Sequence, residues 1–510
     1  MQDIHGNNMT VTLISPQSDI SAFGIRSLSA YLKKNGIPTR LIFLPDIKFD
    51  TGDNGDRAYR YSESVLGQVA ELCRDSILVG ISLFSCHFDR AIELTNFLKK
   101  HISSPIVWGG IHPTAAPEHS LEYSDIICIG EGEDTLLQLA QRISKGDDYL
   151  SVPGLWIKKN GEIIKNPMMP LKTDLDQLPH PDYSLEEHYI FDSGEDRIFK
   201  MDEDFLIRFL PKDPESGKPT YQTMVTRGCP HNCAYCFTFK NFYKGEKYLR
   251  HRSAGDVVSE LEEIRNRFSK IEMVVISDDS FFAIPEEEIK KFAELYRQKI
   301  SLPMRCLGSP STVTERKLGY LVDAGLFQIQ MGIETASEAT RKIYNRTITN
   351  SRVMESAYAI NKFKGRLMPY YDFITDNPYE KKEDFLTTLR FAANLPRPYY
   401  LQIFSLVLFP GTQLYYRAIE EGLIKESDIM KMFRKQFHFE KKNYMNFMLH
   451  LINIPLPKFV FSILLSDLAV WVLDRENIGK LLYRVYYFYK KIQAKQRASA
   501  INSLKREKQI

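Results

Sequence analysis

The chain has 510 residues, 44% hydrophobic and 26% charged, with seven cysteines. That is more than one ordinary domain of ~100–200 residues, and the balance excludes a disordered chain or a disulfide-dense secreted scaffold. The formal charge of +3 hides an asymmetry, because residues 431–510 carry a net +11 and the first 430 residues −8. A basic tail with a separate role is expected, a solvated helical surface being the bland alternative.

The first residues, "MQDIHGNNMTVTLI", lack a basic stretch followed by a long apolar run, so no signal peptide is expected and the cytoplasm is the expected compartment. Strand and helix signals then alternate. Met9–Ile14 reads as a buried strand, Ser21–Asn35 as a helix ended by Gly36 and Pro38, and "RLIFL" as a second strand. Ile77–Leu83 is a third strand, Asp89–Lys100 a helix, "PIVWGG" a fourth strand, and "DIICIGEGE" a fifth leading into a helix from Asp134. Short apolar runs alternating with helices predict parallel βαβ units, hence an α/β fold with a five-stranded doubly wound sheet over residues 9–150. Ligands of such sheets lie at the carboxyl ends of the strands.

Residues 151–215 differ. Asn160-Gly161 between alternating segments predicts a hairpin, and the Pro-rich "DLDQLPHPDYSL" reads as an extended surface linker. From residue 216 to 430 alternation resumes, with strands expected at Tyr221–Thr226, Glu272–Ser277, Met304–Gly308, Phe327–Gly332, Leu367–Ile374 and Leu401–Leu408. Six βα units predict a partial barrel, again with its site at the strand carboxyl ends. Residues 431–510 are expected to form a helical, basic, aromatic-rich extension.

"TRGCPHNCAYCF" places Cys229, Cys233 and Cys236 within eight residues, directly after the first strand of the second unit. Three is odd for disulfides, and no second Cys pair follows at zinc-finger spacing. Thiolates suit zinc and iron–sulfur centres alike; a zinc reading would recruit His231 as fourth ligand, whereas a cluster held by three cysteines leaves one iron open. The remaining cysteines, Cys73, Cys86, Cys128 and Cys306, are scattered in apolar runs and read as buried small hydrophobes.

"CPHNCAYC", with an aromatic before its third cysteine, resembles the signature of the radical S-adenosylmethionine (SAM) enzymes. The resemblance implies a [4Fe–4S] cluster on Cys229, Cys233 and Cys236, SAM chelated by the open iron, and an external electron donor of flavodoxin or ferredoxin type. It places Tyr235 near the adenine. Asp278 and Asp279 in "VVISDDSFF" suit the SAM amino group, although adjacent carboxylates also serve as helix caps. "MGIETASEATRKIYNR" resembles the family's fourth-strand segment and makes Glu334 a candidate for the SAM ribose or amino group. "YDFITDNPYEKKEDF" resembles the fifth-strand segment and retains Glu380, but Asp376 and Tyr379 stand where glycines are expected.

The preceding sheet resembles the cobalamin-binding domain of the radical SAM enzymes that also use cobalamin. Three loops carry the resemblance: "SPQSDISAFG", "GGIHPTAAPE" and "GEGEDT". Asp19, Ser21 and Gly24 keep the spacing of an Asp-x-His-x-x-Gly loop with serine in the histidine place, so the cobalt is expected to lack that protein ligand. Gly109, Gly110 and Gly130 permit close approach of the nucleotide tail, and His112 is a candidate contact at the cobalamin periphery. The competing reading is an empty scaffold that caps the barrel.

In the tail, "FVFSILLSDLAVWVL" is too short for a membrane span of ~20 residues, and a central Asp costs about 2.5–3.5 kcal/mol on insertion. Packing on the barrel is the default, and peripheral membrane contact through "YRVYYFYKKIQAKQR" the runner-up. Every candidate cluster ligand lies upstream of Gly422, so the tail is expected to be dispensable for cluster formation.

The resemblance implies a cobalamin-dependent radical SAM enzyme. Its 5′-deoxyadenosyl radical would take hydrogen from an unactivated carbon of a small-molecule or lipid-like substrate, and methylcobalamin would supply a methyl group. One alternative keeps both cofactors but rearranges or oxidises a ring. Another is a zinc-stabilised binding protein with a vestigial first domain. No nucleic-acid partner is expected.

Overall fold

The computed structural model describes residues 9–45, 60–237, 243, 247–279, 281–425, 428–434, 441–475 and 477–488. They form two compact units, one of residues 1–329 with 407–436, the other of 330–406 with 437–510.

The first unit opens with strands β1 (Val11–Ser15), β2 (Thr39–Phe43), β3 (Leu78–Ser82), β4 (Ile106–Gly109) and β5 (Ile126–Cys128). These are the five expected strands, and each short apolar run is buried along its length or nearly so. The sheet is larger than expected, however. β6 (Leu155–Lys159) and β7 (Glu162–Lys165) form the Asn160-Gly161 hairpin on one edge, and β8 (His188–Asp192) and β9 (Arg197–Lys200) extend the other. The order is β7-β6-β5-β4-β3-β1-β2-β8-β9. Residues 151–215 are therefore not only a surface linker. Their alternating apolar residues pair at both edges, satisfying backbone groups that an open sheet would leave exposed.

Ile14, Ile42, Val79, Ile81 and Trp108 face one core with helices Glu63–Cys73 and Phe88–His101. The alternate residues Leu13, Leu41 and Val107 turn to the other face, where helices Phe23–Lys34 and Glu133–Lys145 pack together. The strand order reverses beside β1, and the crevice this opens lies at the carboxyl ends of β1 and β3.

The same unit continues with β10 (Thr220–Thr223), then β11 (Thr226–Arg227) and β12 (Arg250–His251), which pair antiparallel and close the loop that carries the three cysteines. β13 (Met273–Ile276) lies parallel between β10 and β14 (Met304–Gly308). Helices Ala254–Arg267 and Glu315–Ala324 start with Ser253 and Thr314 as side-chain caps. The chain leaves the unit inside strand β15 (Leu326–Glu334).

In the second unit the end of β15 is followed by β16 (Met368–Thr375) and β17 (Tyr400–Ser405), which pair in parallel. Helix Tyr444–Ile452 belongs here too, with Met448, Leu449 and Ile452 wholly buried. "FVFSILLSDLAVWVL" forms two short helices, Lys458–Leu464 and Asp467–Leu473, and residues 477–488 are again helical. The expected tail helices are present up to residue 488; Tyr489 onward in "YRVYYFYKKIQAKQR" lies outside the described residues.

Candidate cofactor site

A cavity of about 640 Å³ opens in the first unit where the carboxyl ends of β1, β3, β4 and β5 meet the cysteine loop. Asp19, Ser21, Gly24, Gly109, Gly110 and Gly130, taken from three separate loops, all line it. Cys229 and Asp279 of the following sheet line it as well. Seven of the chain's 27 glycines stand on its wall, so much of that wall is bare backbone that a large ligand can approach. Gly110 has φ 98°, and a Cβ there would meet the Leu83 carbonyl at 2.9 Å, which accounts for glycine at the end of β4.

Ser21 is buried, and its Oγ has no hydrogen-bonding partner. Asp19 accepts the Ser21 N–H at 2.8 Å and the Gln222 Nε2 at 2.9 Å, so it shapes its own loop and joins it to β10. A buried, unpaired hydroxyl on a glycine-walled crevice fits a bound polar ligand such as a nucleotide tail. A second cavity of about 690 Å³, lined by Asp213, Arg297 and Asp323, lies near the amino ends of β13–β15, away from every cofactor loop.

The cysteine loop is held from both sides. Arg227, two residues before Cys229, pairs with Glu133 at 2.6 Å and Glu131 at 3.2 Å. The deeply buried Arg250 grips Glu131 and donates to the Lys172 carbonyl at 2.8 Å. Against the burial that would lower it, Glu133 and then Glu131 raise the Arg227 pKa and keep the guanidinium charged. The acids of "GEGEDT" thus clamp the strands flanking the cysteines, a role the sequence reading missed. Its signal was available in the charge of Arg227 beside Gly228-Cys229.

Cys229 and Cys233 are half-buried and Cys236 is exposed, none of them in a disulfide. A turn with Cys236 N–H on the Cys233 carbonyl at 3.1 Å shapes the loop. Three thiolate donors on one short loop suit an iron–sulfur cluster. His231 Nε2 lies 3.3 Å from Ser311 Oγ, and among the described residues no three His, Cys, Asp or Glu side chains converge on a single metal-ion position. Cys73, Cys128 and Cys306 are buried as expected, and burial pushes the Cys73 and Cys128 thiols up to about 12. Cys86 departs from that expectation. It is exposed, on the single turn Ser85–His87 that follows β3.

Two of the candidate residues are engaged away from the cavity. Asp278 does not face the cavity. It is fully buried, accepting Val225 N–H at 2.8 Å, Thr226 Oγ at 2.6 Å and the Thr226 N–H. Burial, with a smaller push from Asp279, raises its carboxyl to about 6. Asp278 therefore anchors the β10–β11 corner just ahead of the cysteines, and of the acid pair Asp279 alone reaches the cavity wall, its own pKa raised by the surrounding protein. His112 is likewise off the wall. It sits in an aromatic cluster with Phe88 and Phe433, its Nδ1 2.9 Å from Ser85 Oγ, and burial lowers its pKa to about 3. The strand-to-helix turn after Gly110 points it into the core.

In the second unit Glu334 and Glu380 flank Tyr344, whose pKa is raised by burial and then by both acids. Glu380 accepts Thr340 Oγ at 2.8 Å, and burial raises its carboxyl to about 7. Glu334 stands at φ 69° at the end of β15, with Arg346 3.8 Å away. On the same face of the sheet Gln330 donates to Asp372 at 2.9 Å, and Gln402 is the register partner of Asp372. Asp372 Oδ1 and Gln402 Oε1 are both buried without a donor. Asp376 has φ 60°, which explains the expected glycine; its carboxylate accepts Ser405 Oγ at 2.7 Å, Lys441 N–H at 2.9 Å and Asn446 Nδ2 at 2.9 Å. Tyr235 is half-buried and does not line the cavity.

A doubly wound sheet with a glycine-walled crevice at its strand ends, joined to a βα sheet that presents three thiols, defines a protein built around two cofactor sites. The profile described as the radical SAM superfamily matches residues 223–392, and that of the B12 binding domain matches residues 9–140. An uncharacterized methyltransferase of Pyrococcus horikoshii is 26% identical over 62% of this chain and 64% of its own length. The bacteriochlorophyllide d C-8(2)-methyltransferase of Chlorobaculum tepidum is 23% identical over 69% of this chain and 71% of its own. The structure of the cobalamin-dependent SAM radical enzyme OxsB shares the fold, with a TM-score of 0.65, 16% identity, and coverage of 95% of this chain and 71% of that one. The chain therefore carries a B12-binding domain followed by a radical SAM domain. Its cofactors are accordingly a [4Fe–4S] cluster, SAM and cobalamin, which sets aside the zinc-stabilised binding protein and the empty scaffold.

Proposed function

We propose that the protein methylates an unactivated carbon of a small-molecule or lipid-like substrate in the cytoplasm, drawing single electrons from a flavodoxin- or ferredoxin-type donor. The observation that carries this is the single cavity whose wall combines the three cobalamin-type loops with Cys229 and Asp279. Bound together, the cofactors supply a 5′-deoxyadenosyl radical and a methyl group. The chain's own residues do the positioning. Cys229, Cys233 and Cys236 hold the cluster on a loop fixed by Asp278, Arg227 and Arg250. Asp279 would offer a carboxylate to the SAM amino group, and Tyr235 would border the adenine. Gly109, Gly110 and Gly130 admit the cobalamin nucleotide, Asp19 fixes the first loop, and Ser21 replaces the imidazole that would otherwise reach cobalt.

Methyl transfer consumes SAM twice. One molecule gives S-adenosylhomocysteine and another 5′-deoxyadenosine, so turnover should yield the two in near-equal amounts. SAM carrying a deuterated methyl group should pass that label to the product. Deoxyadenosine with unlabelled product would retire methyl transfer in favour of ring rearrangement or oxidation.

A further inference from the structure

The tail helices are apolar on both sides. Phe461, Leu465, Val470 and Tyr483 are buried and anchor Lys458–Leu464, Asp467–Leu473 and residues 477–488. On their outer sides stand Phe459 and Ile463, then Leu468 and Trp471, then Leu481, Val485 and Phe488, at helical spacings of three and four. Phe459 is 65%, Leu468 72% and Trp471 70% exposed. An amphipathic helix of a soluble domain turns polar residues outward, so three successive helices with outer apolar stripes need a partner.

Charge identifies that partner. The two described acids of these helices are both engaged by cations of the same unit, Asp467 by Arg390 at 2.8 Å and Asp474 by Lys382 at 2.8 Å. Lys458, Arg475 and Arg484 are exposed among the apolar stripes, and residues 431–510 as a whole carry a net +11. Among the described residues no helix is long and apolar enough to cross a membrane. Large apolar side chains bordered by cations suit an interface where acyl chains meet anionic headgroups.

We propose that the outer face of residues 458–488 docks the enzyme on an anionic bilayer surface, with Phe459, Ile463, Leu468 and Trp471 entering the headgroup region. The inference stands apart from the methyl-transfer reading, because it needs neither cofactor nor substrate. It would bring the enzyme to substrates dissolved in, or released from, the membrane.

The test uses the full-length protein with phosphatidylglycerol–phosphatidylcholine vesicles and with phosphatidylcholine vesicles alone. Trp108 is buried and Trp156 is covered by Lys165, so Trp471 is the exposed reporter. Anionic vesicles should sediment the protein and shift its tryptophan emission to the blue, and a Trp471→Phe variant should lose the shift. Raising salt from about 0.05 to 0.5 M should weaken binding about tenfold or more. Phe459→Ser/Leu468→Ser should abolish sedimentation at unchanged melting temperature, since both side chains are exposed. Absence of vesicle binding at low salt overturns the proposal. Self-association of the full-length chain that the same double variant abolishes, without vesicle binding, overturns it in favour of a second copy as occupant. Equal binding to neutral vesicles overturns the electrostatic part.

Discussion

Asp278 separates a residue that touches a cofactor from one that positions its neighbours. The sequence places two carboxylates at the end of a barrel strand, and side-chain chemistry alone assigns both to SAM. Backbone geometry divides them, because the β10–β11 corner turns the Val225 and Thr226 N–H groups inward, where they need an acceptor. Asp278→Ala should therefore cost about 2–4 kcal/mol by denaturant unfolding. It should also lower iron retention well below the about four atoms per chain of an intact cluster, although Asp278 is no ligand. Asp372 offers a pH test. Its carboxyl is raised to about 8 by burial first and by the charge of Glu334 second. Between the ordinary carboxylate range and that value the folded chain holds a proton that the unfolded chain has lost. Stability therefore falls as pH rises through this window, by up to about 1.4 kcal/mol per unit, and levels off above it. Asp372→Asn removes the slope, so its melting temperature should gain on the wild type from pH 5 to pH 8. A constant difference across that range would mean that Asp372 titrates normally.

Strands and helices with strong periodicity were legible in the sequence: helix Phe88–His101 covers the expected Asp89–Lys100, and helix Phe23–Lys34 ends just before Gly36 as expected. So were the cysteine loop and the three glycine-bearing loops, whose chemistry is local. What was not legible depends on pairing across long separations. β8 and β9 lie on a sheet edge because β2 is free there, which no short window around residues 188–200 reveals. Helix Glu63–Cys73 was also passed over, although the parallel step from β2 to β3 requires a crossover. In the tail, Asp467 looked like an interruption of one apolar run; it is the first residue of a new helix, behind the Ser466 cap. The Glu131–Arg250 contact is of the same long-range kind, spanning 119 residues. Arg250→Ala would leave Glu131 with Arg227 alone and should destabilise the protein by about 3–5 kcal/mol. Urea unfolding should show this as a lower midpoint with an unchanged slope, whereas a loss below about 1 kcal/mol would mean the clamp is no more than a surface pair.

The two compact units do not follow the order of the chain, and this changes what a truncation does. Residues 407–436 return to the first unit, where Phe433 packs on Phe88, His112 and His119. Residues 437–488 complete the second, where Asp376 accepts Lys441 and Asn446, and Asn453 hydrogen bonds with both backbone groups of Leu401. The expectation that everything past Gly422 is dispensable for the cluster rests on ligand positions alone. The geometry argues against it, since cutting there removes a ring from one core and the wholly buried Met448, Leu449 and Ile452 from the other. Losing three such side chains at about 2–5 kcal/mol each exceeds the roughly 5–15 kcal/mol by which a domain is stable, or comes close to it. A chain ending at Gly422 should therefore be insoluble or should melt far below the wild type, and should take up little iron. A chain ending at Leu456 keeps helix Tyr444–Ile452 and the Asp376 and Leu401 contacts, so it should fold, with a lowered melting temperature because Phe461, Leu465 and Val470 are gone. Thermal unfolding with iron analysis of the three chains checks the order. A Gly422 chain that melts with the wild type and binds a full complement of iron would return the tail to the dispensable role that its ligand-free sequence suggests.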